Sequence, residues 1–451
     1  MKKPRVLIFG QSFNSNTGGG VTLSNLFHDW NKDDLAVIVT SHAINNINFS
    51  YCDNYFFIGN KENSWIFPFN FFQRNIPSGK IEVKQYSKTM EVQSHSPGFR
   101  SRFVNSVFYP FLMWTGLFHV LSKIHLTDNL MDWVKEFNPD IVYIQVSTRD
   151  SLLFGKALAK ELKIPVVLHQ MDDWLNSISY GTLFSNYWKR TFRKEFQELV
   201  DLSTLCLSIS DLMGLEYYKR FGKKFITYHN PVDLSFWNAN QEEILLNENS
   251  LTVLYAGRTG FGIGTSLKSF AHAVEELNQE SKYKIDFYIQ TVEPLKWIEG
   301  FEHTHYRGLV SYSKLPKLFR GADFLLLPCD FSQKSIEFLR YSMPTKAPEY
   351  MISGTPTILL APEETAVFQY GDSQKWAYTI GDDSVQFIKE KLRKFIEDPE
   401  LQLELSNRAL KLAMKNHDSQ LIRSRFLIDF MKLVPTEESP EKVPHLQKIN
   451  F

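Results

Sequence analysis

Short, continuous apolar runs alternate with helical segments along most of this chain. A strand that helices cover on both faces reads as such a run, because both of its sides are buried. In the first half the runs lie at residues 5–10, 35–40, 138–145, 164–174 and 205–210. In the second half they start at residue 251 and recur at 283–290, at 305–310, up to 328 and at 357–360. The alternation predicts an α/β fold built on parallel sheets.

Chain length and one polar interruption indicate two domains. The 451 residues are enough for two units, each with its own core. Polar residues dominate segment 238–250, which we interpret as a linker between a first domain at 1–237 and a second domain at 251–415. Residues 416–434 are predicted to form a separate last helix, and the charged tail at 435–451 is predicted to be disordered.

Charge and cysteine usage narrow the class of protein. Lys plus Arg and Asp plus Glu both number 50, and this balance gives no support for nucleic acid as a partner. The three cysteines lie far apart, without disulfide or zinc spacing, which suits a reducing cytoplasm. The first apolar run, of about five residues, is too short for a signal peptide. We therefore expect a cytoplasmic protein.

The stretch from residue 341 to residue 360 carries the most specific signals. A loop ending at Thr345 precedes a helical run that Gly354 ends, and an apolar β-branched run follows. Thr345 is the predicted N-cap, so Lys346 and the free amides beside it would lie at a helix end that attracts phosphate. Glu349 lies about one turn further on, where a carboxylate would bind the hydroxyls of a nucleotide ribose. An ordinary helix with a solvated glutamate is the alternative.

Residues 344–358 follow the pattern P-[ST]-K-x-x-E-Y-M-x-x-G-x-P-[TV]-I. This pattern resembles the donor-binding segment of retaining glycosyltransferases with the GT-B fold, specifically the GT4-type family (glycosyl transferases group 1). In that family the glutamate at the position of Glu349 holds the ribose of a nucleotide-diphosphate sugar. Residues 229–237, HNPVDLSFW, resemble the family's N-[GP]-V-D-x-x-x-F turn at the end of the first domain. The resemblance implies two Rossmann-like parallel-sheet domains that face a cleft, with the final helix crossing back to the first domain.

Three glycines follow the first predicted strand. Gly18, Gly19 and Gly20 precede a helix that we expect to start near Val21, and glycines let the backbone approach a ligand where a Cβ atom would clash. Their spacing is not that of a GxGxxG dinucleotide loop. In the GT4-type family a glycine loop at this place lies beside the donor phosphate and the acceptor. The resemblance therefore implies that Gly19 and Gly20 contact the donor, and a flexible surface turn is the alternative.

Two charged residues follow predicted strands, where ligands of open parallel sheets bind. Arg258 follows the first strand of the second half, and its planar guanidinium suits a diphosphate because it binds two oxygens at once. Asp172 ends an earlier strand, and the resemblance implies that this aspartate faces the transferred sugar. Asp172 is therefore the candidate catalytic residue, orienting the sugar or the acceptor. The adjacent pair Asp172 and Asp173 lacks DxD metal spacing, and the role of His169 on the same strand is open.

Three positions depart from the family pattern. Met171 stands where the family has a histidine. Ile263 stands where the family has a lysine that pairs with its arginine, and Lys346 is the candidate to supply that charge. Tyr341 stands where the family has a glutamate that contacts the donor sugar, and Glu337 could replace it only if the loop there differs. Because of these departures, the resemblance does not tell which residues would bind the donor sugar.

Two segments are candidates for contact with lipid. The apolar run at residues 107–121 is broken by Pro110 and is shorter than the roughly 20 residues of a bilayer span. A buried helix is predicted there, and a hydrophobic wall for a lipid-linked acceptor is the alternative. Residues 186–196 mix Lys and Arg with aromatic residues. A solvated basic face is predicted there, and contact with anionic head groups or an acceptor diphosphate is the alternative.

Residues and resemblance together predict a hexosyltransferase-type glycosyltransferase. It would move a sugar from a nucleotide-diphosphate sugar, with a UDP-sugar favoured, to a saccharide or lipid-linked acceptor with retention, in the synthesis of a surface polysaccharide or glycolipid. No metal or other cofactor is expected, because fixed cations would stabilise the leaving diphosphate. A lipid-linked acceptor would be met at the inner face of the membrane. A nucleotide-sugar epimerase or phosphorylase of GT-B fold and a non-catalytic nucleotide-sugar-binding protein are the alternatives.

Overall fold

The computed structural model describes residues 2–15, 17–40, 47–73, 75–81, 104–177, 181–238, 244–280 and 284–434. The tail predicted at 435–451 lies outside the described residues, as do residues 239–243 of the predicted linker. Within the described ranges, one large parallel sheet lies in each half of the chain.

The first half contains an eight-stranded sheet. Its strands are β1 (Val6–Phe9), β2 (Leu35–Val39), β3 (Asn54–Phe57), β5 (Gly79–Ile81), β7 (Ile141–Ile144), β8 (Val166–Gln170), β9 (Leu205–Ser208) and β10 (Phe225–Thr227). Their order is β10-β9-β8-β7-β1-β2-β3-β5, and every pair is parallel except β3 with β5. A separate antiparallel pair consists of β4 (Asn63–Trp65) and β6 (Ser122–Ile124).

Helices cover both faces of this sheet, which explains the continuous apolar runs. The helices of the first half are α1 (Gly18–Leu26), α2 (Tyr109–Thr115), α3 (Phe118–Leu121), α4 (Asp128–Phe137), α5 (Arg149–Leu162), α6 (Trp174–Ser177), α7 (Ser185–Leu202), α8 (Asp211–Phe221) and α9 (Leu234–Asn238). Of these, α9 packs in the core of the second domain through Trp237. Successive side chains of β1 belong to different cores: Leu7 and Phe9 pack on one face of the sheet, and Val6 and Ile8 pack on the other. A parallel sheet that is buried on both sides requires this arrangement.

The second half contains a six-stranded sheet in which all neighbours are parallel. Its strands are β11 (Leu251–Ala256), β12 (Ile285–Gln290), β13 (Thr304–Arg307), β14 (Phe324–Pro328), β15 (Thr357–Leu360) and β16 (Tyr378–Ile380), in the order β13-β12-β11-β14-β15-β16. Its helices are α10 (Gly264–Glu280), α11 (Leu315–Arg320), α12 (Gln333–Leu339), α13 (Lys346–Ser353), α14 (Ala366–Gln374), α15 (Val385–Ile396) and α16 (Pro399–Leu412). The strand-and-helix alternation of the sequence thus gives two Rossmann-like domains.

The last helix, α17 (Ser419–Met431), crosses back to the first domain. Phe426 and Phe430 belong to the same core as Phe27 and Trp30 of the first domain. The crossing starts at a short parallel bridge, where the Val232 amide donates to the His417 carbonyl at 2.8 Å. The predicted α/β GT-B architecture, with its crossing final helix, is confirmed. The residue numbers that we gave to the domain boundaries stay predictions.

Two local predictions were wrong. The glycines after β1 do not form a loop that ends near Val21; Gly18 already begins α1, and Thr17 is its N-cap. Residues 107–121 do not form one buried helix. They contain the two short helices α2 and α3, broken at Gly116, and many of their apolar side chains are exposed. Pro110 lies in the first turn of α2, so it starts a helix there instead of breaking one.

Candidate active site

The carboxyl ends of the two sheets face each other, and the sequence-predicted residues lie at these ends. Helix α13 begins there because its apolar residues Ala347, Tyr350 and Met351 are buried against the second domain, and Gly354 ends the helix with a left-handed conformation. The Tyr350 hydroxyl accepts a hydrogen bond from the Ala256 amide at the end of β11, at 3.2 Å. This contact fixes the start of α13 beside the loop that follows β11.

Lys346, the first residue of α13, places its ammonium group over that loop. Its Nζ atom donates to the Tyr255 hydroxyl at 3.2 Å and lies 4.5 Å from the centroid of the same ring. Gly257 leaves room for the lysine, since a Cβ atom there would lie 1.6 Å from Nζ, and the glycine φ is +153°. Loss of surrounding water lowers the pKa of Lys346 to about 7, against the opposing effect of Glu349. A bound diphosphate would favour the protonated lysine.

Glu349 lies one turn into α13 and is buried. The Tyr312 hydroxyl donates to its Oε1 atom at 3.1 Å. Burial raises the pKa of Glu349 to about 7, although the Tyr312 hydrogen bond and the charge of Lys346 lower it. The Tyr312 ring stacks on Phe236, with centroids 5.1 Å apart and planes at 11°. A ribose hydroxyl that reached Glu349 would replace or share the hydrogen bond from this tyrosine.

Arg258 lies in the loop after β11 and its side chain is exposed. Its Nη1 atom donates to the Phe261 carbonyl at 3.0 Å. The charge of Arg258 lowers the pKa values of Lys346 and Asp172. The arginine is therefore within electrostatic range of both groups. The second domain thus brings two basic side chains, Arg258 and Lys346, close to the carboxylate of Glu349 at the carboxyl end of its sheet.

Asp172 joins the first domain to the second. It follows β8, and the Ser342 hydroxyl donates to its Oδ1 atom at 2.7 Å. Ser342 lies just before α13, so this hydrogen bond spans the domain boundary. Burial raises the pKa of Asp172, and the Ser342 hydrogen bond and the charge of Arg258 oppose that rise. The carboxyl group is thus held between the domains, close to the charges of the second.

The glycines of α1 face the start of α13. A Cβ atom on Gly18 would lie 3.3 Å from the Thr345 methyl group. A Cβ atom on Gly19 or Gly20 would lie 2.2 Å from the Gln11 amide nitrogen or 2.1 Å from the Asn14 amide nitrogen. Side chains of the same loop fill the space beside Gly19 and Gly20. Glycine is therefore needed at these positions for packing within the loop, whether or not a ligand binds there.

Thr345 does not act as the capping residue that the sequence predicted. It occupies the N-cap position with helical dihedral angles, and its side chain makes no capping hydrogen bond. Its carbonyl instead accepts a hydrogen bond from the Asn230 amide group of the first domain at 3.1 Å. Thr345 thus contacts the first domain through both its methyl group and its carbonyl.

His169 and Asp173, neighbours of Asp172, have structural roles. His169 is fully buried, with Nδ1 2.6 Å from the Tyr143 hydroxyl and Nε2 3.1 Å from the Tyr228 carbonyl. Burial lowers the pKa of His169 to about 4, so the ring is neutral and Nε2 donates to the carbonyl. Both carboxylate oxygens of Asp173 accept from Arg220 Nη1, at 3.0 and 2.9 Å. These contacts account for two polar residues whose roles the sequence did not settle.

In the GT4-type pattern a glutamate that contacts the donor sugar stands at the position of Tyr341. Neither Tyr341 nor Glu337 replaces it directly in this structure. Tyr341 lies against the first domain: its carbonyl accepts from the Ser210 hydroxyl at 2.6 Å, and its ring centroid is 5.3 Å from the Arg220 guanidinium. Glu337 is partly buried on α12, where its carboxylate accepts a hydrogen bond from the Gln333 side chain at 3.2 Å. Tyr341 therefore contacts the first domain, at a position where the GT4-type family has a glutamate that contacts the donor sugar.

Three side chains at the site were missed by the sequence analysis: Tyr255, Tyr312 and Ser342. Each contacts a predicted site residue that is far away in the chain, such as Tyr312 with Glu349 and Ser342 with Asp172. Tyr312 had a weak signal, because its loop follows a predicted strand of the second domain. No spacing in the sequence indicated the other two pairs.

The described part of the chain offers neither a metal site nor a membrane span. No group of three or more His, Cys, Asp or Glu residues in the described ranges is placed to hold a metal ion. Among the helices of those ranges, none has the length and hydrophobicity needed to cross a bilayer.

Comparison with known proteins identifies the fold. No protein family matches the sequence, and no curated protein matches it. Solved structures do match: HepE from Anabaena in complex with UDP has a TM-score of 0.54 at 12% identity, over 96% of this chain and 100% of HepE. Sucrose-phosphate synthase from Thermosynechococcus elongatus has a TM-score of 0.58 at 9% identity, over 95% of this chain and 98% of the synthase.

A further similar structure is a putative UDP-N-acetylglucosamine 2-epimerase from Listeria monocytogenes. Its TM-score is 0.50 at 11% identity, over 95% of each chain. All three identities are low, so the likeness establishes the fold alone. This chain has the GT-B fold, which HepE and sucrose-phosphate synthase also have.

Proposed function

We propose that this protein is a glycosyltransferase that uses a nucleotide-diphosphate sugar as donor. One observation carries the proposal: Arg258, Lys346 and Glu349 converge at the carboxyl end of the second sheet, where Asp172 reaches them from the first domain. Two cations suit a diphosphate, and a buried carboxylate suits ribose hydroxyls. The similarity to HepE, which was solved with UDP, supports this proposal and favours a UDP-sugar.

The proposed chemistry needs only side chains that the cleft provides. As the bond between the anomeric carbon and the diphosphate oxygen lengthens, negative charge grows on the leaving diphosphate. Arg258 and Lys346 stabilise that charge in a site with little water, which is usually the largest contribution to rate. Asp172 orients the sugar or the acceptor hydroxyl. No metal ion is required, because two fixed cations do its work.

We further propose retention of the anomeric configuration, in the manner of the family that the sequence resembles. The acceptor hydroxyl then attacks from the face that the diphosphate leaves, and the diphosphate oxygen takes the hydroxyl proton. The pattern at residues 344–358 supports this part of the proposal. Tyr341 replaces the family's sugar-contacting glutamate, so we expect the hexose hydroxyls to be bound by other groups than in the GT4-type family.

The acceptor that we propose is a saccharide or a lipid-linked saccharide, in the synthesis of a surface polysaccharide or glycolipid. The protein would meet it in the cytoplasm or at the inner face of the membrane. The exposed apolar side chains of α2 and of the loop before α7 support the lipid-linked class, because they could contact the acyl chain of an acceptor that binds the first domain.

Incubation with a panel of nucleotide sugars tests the function. Release of free nucleotide that requires an acceptor, together with a product of retained anomeric configuration, is the expected result. The test also covers two other functions. Isomerisation without acceptor would indicate an epimerase, a class that the likeness to the Listeria protein favours. Binding without turnover would indicate a non-catalytic binder, which the replacement of the family's glutamate by Tyr341 favours.

A further inference from the structure

An apolar surface lies on the first domain, away from the donor residues. It consists of Phe67, Phe111, Trp114, Leu183, Phe184 and Tyr187. Phe67 is 77% exposed, Tyr187 is 62% exposed, and the other four are at least half exposed. Single exposed apolar residues are ordinary, but six large ones on neighbouring segments indicate a binding surface.

Three chain segments bring these residues together. The Leu183 amide donates to the Trp114 carbonyl at 2.7 Å, which joins the loop before α7 to α2. The Ile66 amide donates to the Leu121 carbonyl at 2.9 Å, which joins the segment of Phe67 to the end of α3. These backbone hydrogen bonds therefore hold the three segments next to one another, although their residues are far apart in the sequence.

A basic cavity of about 490 Å³ lies beside α7, the helix that also carries Tyr187 of the apolar surface. Five of its nine lining residues are cationic and one is a glutamate: Lys189, Arg190, Arg193, Lys219, Arg220 and Glu216. Arg220 is neutralised by Asp173 and Glu216. In the part of the chain that the structure describes, Lys189, Arg190 and Lys219 form no ion pair. The cavity thus keeps an excess of positive charge beside an apolar surface.

We propose that this face of the first domain docks on an anionic phospholipid bilayer. The aromatic and leucine side chains enter the boundary between head groups and acyl chains, and the cavity between α7 and α8 holds a head-group phosphate. A bilayer provides both hydrocarbon and dense negative charge, and this surface complements both. The chain as a whole has no net charge, so the excess of Lys and Arg around this cavity does not simply follow from a basic composition.

The proposal does not depend on the donor site. Arg258, Lys346 and Glu349 lie on the other domain, and none of them belongs to the apolar surface or to the cavity. Docking would bring the first domain to the membrane, where it could meet a lipid-linked acceptor. Only this consequence for the acceptor rests on the proposed function. The protein could bind vesicles without transferring sugar, and it could transfer sugar without binding vesicles. A negative result for one proposal therefore leaves the other standing.

Co-sedimentation of the full chain with vesicles tests docking. We expect binding to vesicles of phosphatidylcholine with phosphatidylglycerol, weak binding to pure phosphatidylcholine, and loss of binding at high salt. K189Q with R190Q should weaken binding about fivefold for each lost cation. The double variant W114S/Y187S should weaken binding about tenfold or more at unchanged charge.

Matched controls come from the second domain. Leu403 is 64% exposed and Lys411 is exposed, so L403S and K411Q change the same kinds of residue elsewhere. These variants should bind vesicles as the parent does. Inorganic phosphate should compete only weakly, because a bilayer offers many phosphates at once. Strong competition would reassign the cavity to a free phosphate compound and overturn docking.

Two other outcomes would overturn the proposal. One is no binding to anionic vesicles, or equal loss of binding in the surface and control variants. The other is a concentration-dependent dimer in size-exclusion chromatography that W114S/Y187S abolishes, with no binding to vesicles. That result would assign the surface to a second copy of this chain.

Discussion

Lys346 and Glu349 lie three residues apart on α13, and both have pKa values of about 7. Desolvation is the main cause in both cases, lowering the lysine value and raising the glutamate value. Each group is easily neutralised, because little water surrounds its charged form. A ligand with a diphosphate and ribose hydroxyls favours the charged forms of both. These two pKa values are what we expect of the proposed site for a nucleotide-diphosphate sugar.

Replacing Glu349 with alanine should weaken the binding of a nucleotide-diphosphate sugar about tenfold or more, because charge-assisted hydrogen bonds to the ribose are lost. Isothermal titration calorimetry measures the change. E337A is the matched control, since Glu337 lies on the neighbouring helix and its carboxylate bonds to Gln333 of that helix, and it should bind as the parent does. Unchanged affinity in E349A would remove the ribose assignment.

The affinity for UDP-glucose should pass through a maximum near neutral pH. Above about pH 7, Lys346 loses the proton that the diphosphate needs, so affinity falls as pH rises. Below about pH 7, Glu349 becomes protonated and no longer accepts hydrogen bonds from ribose hydroxyls, so affinity falls as pH decreases. A nucleotide sugar is the right probe, because its diphosphate does not titrate in this range.

Single variants separate the two limbs of this profile. Lys346→Met should lower affinity at neutral pH and flatten the alkaline limb. Glu349→Gln should flatten the acidic limb. Titrations of each variant across the pH range check both results, and a profile that changes in only one direction in the parent protein would contradict the assignment.

At the scale of elements, the loop after β11 places the lysine of α13. A side chain on Gly257 would collide with Lys346 Nζ and would have to adopt a φ of +153°. Gly257→Ala should therefore lower the free energy of unfolding by about 1–3 kcal/mol and displace the ammonium group, with weaker nucleotide binding. Chemical denaturation and titration calorimetry measure the two effects.

Gly300→Ala is the control for this substitution. No atom lies within 4 Å of a Cβ atom there, and its φ is not positive. Stability and affinity should stay within the ordinary range of surface substitutions. If both variants behaved alike, the contact between Gly257 and Lys346 would not control the site.

The elements were the part of the structure that the sequence predicted best. Strands such as β7 and β15 are buried on both faces, so their residues are almost all apolar and the strands are easily recognised in the sequence. Helix α2 was predicted wrongly for the same reason: an apolar composition usually means burial, and here Trp114 and Phe111 face outward. The composition of a segment shows how hydrophobic it is, but it does not show whether its side chains face the core or the solvent.

The candidate site was predictable only in part. Arg258, Lys346 and Glu349 could be found because each follows a strand or begins a helix, and topology brings such positions to one edge of a sheet. Ser342 with Asp172 could not be found, because that pair depends on how the two domains meet. Thr345 was assigned a capping role from local pattern, yet its contacts are with the other domain.

At the scale of the whole molecule, the last helix stabilises the first domain. Phe430 packs edge-on against Phe27, 5.7 Å away, and is fully buried. Phe430→Ala should lower the free energy of unfolding by about 3–5 kcal/mol, from lost burial and the cavity left behind. Urea denaturation measures it, and I428A is the control, because Ile428 is exposed on the same helix. Equal stability in both variants would mean that α17 is not part of that core.

Buried histidines should make the whole molecule sensitive to acid. The pKa of His169 and that of His229 are lowered to about 4, and the pKa of His417 is lowered as well, chiefly by desolvation. Such groups contribute stability that is fully present above the unfolded pKa of 6.5 and is lost as pH falls toward the folded value. His169 alone should cost about 2 kcal/mol of unfolding free energy near pH 5.

Thermal unfolding between neutral pH and about pH 4.5 checks this result, and a melting temperature that stays constant over the range would contradict it. H169Q is the useful comparison, because glutamine offers a donor and an acceptor but does not titrate. The variant should be less stable at neutral pH, since it repacks a full core, and it should lose less stability on acidification.

The path of α17 has a consequence for how the protein is made. Phe426 and Phe430, with Ile422 of the same helix, complete a core whose other buried members all belong to the first domain. During synthesis the first domain leaves the ribosome with that core open, and it stays open until the second domain has been translated. We therefore expect nascent chains to leave Phe27 and Trp30 without these partners for most of translation, and a truncation before residue 419 to leave the gap unfilled.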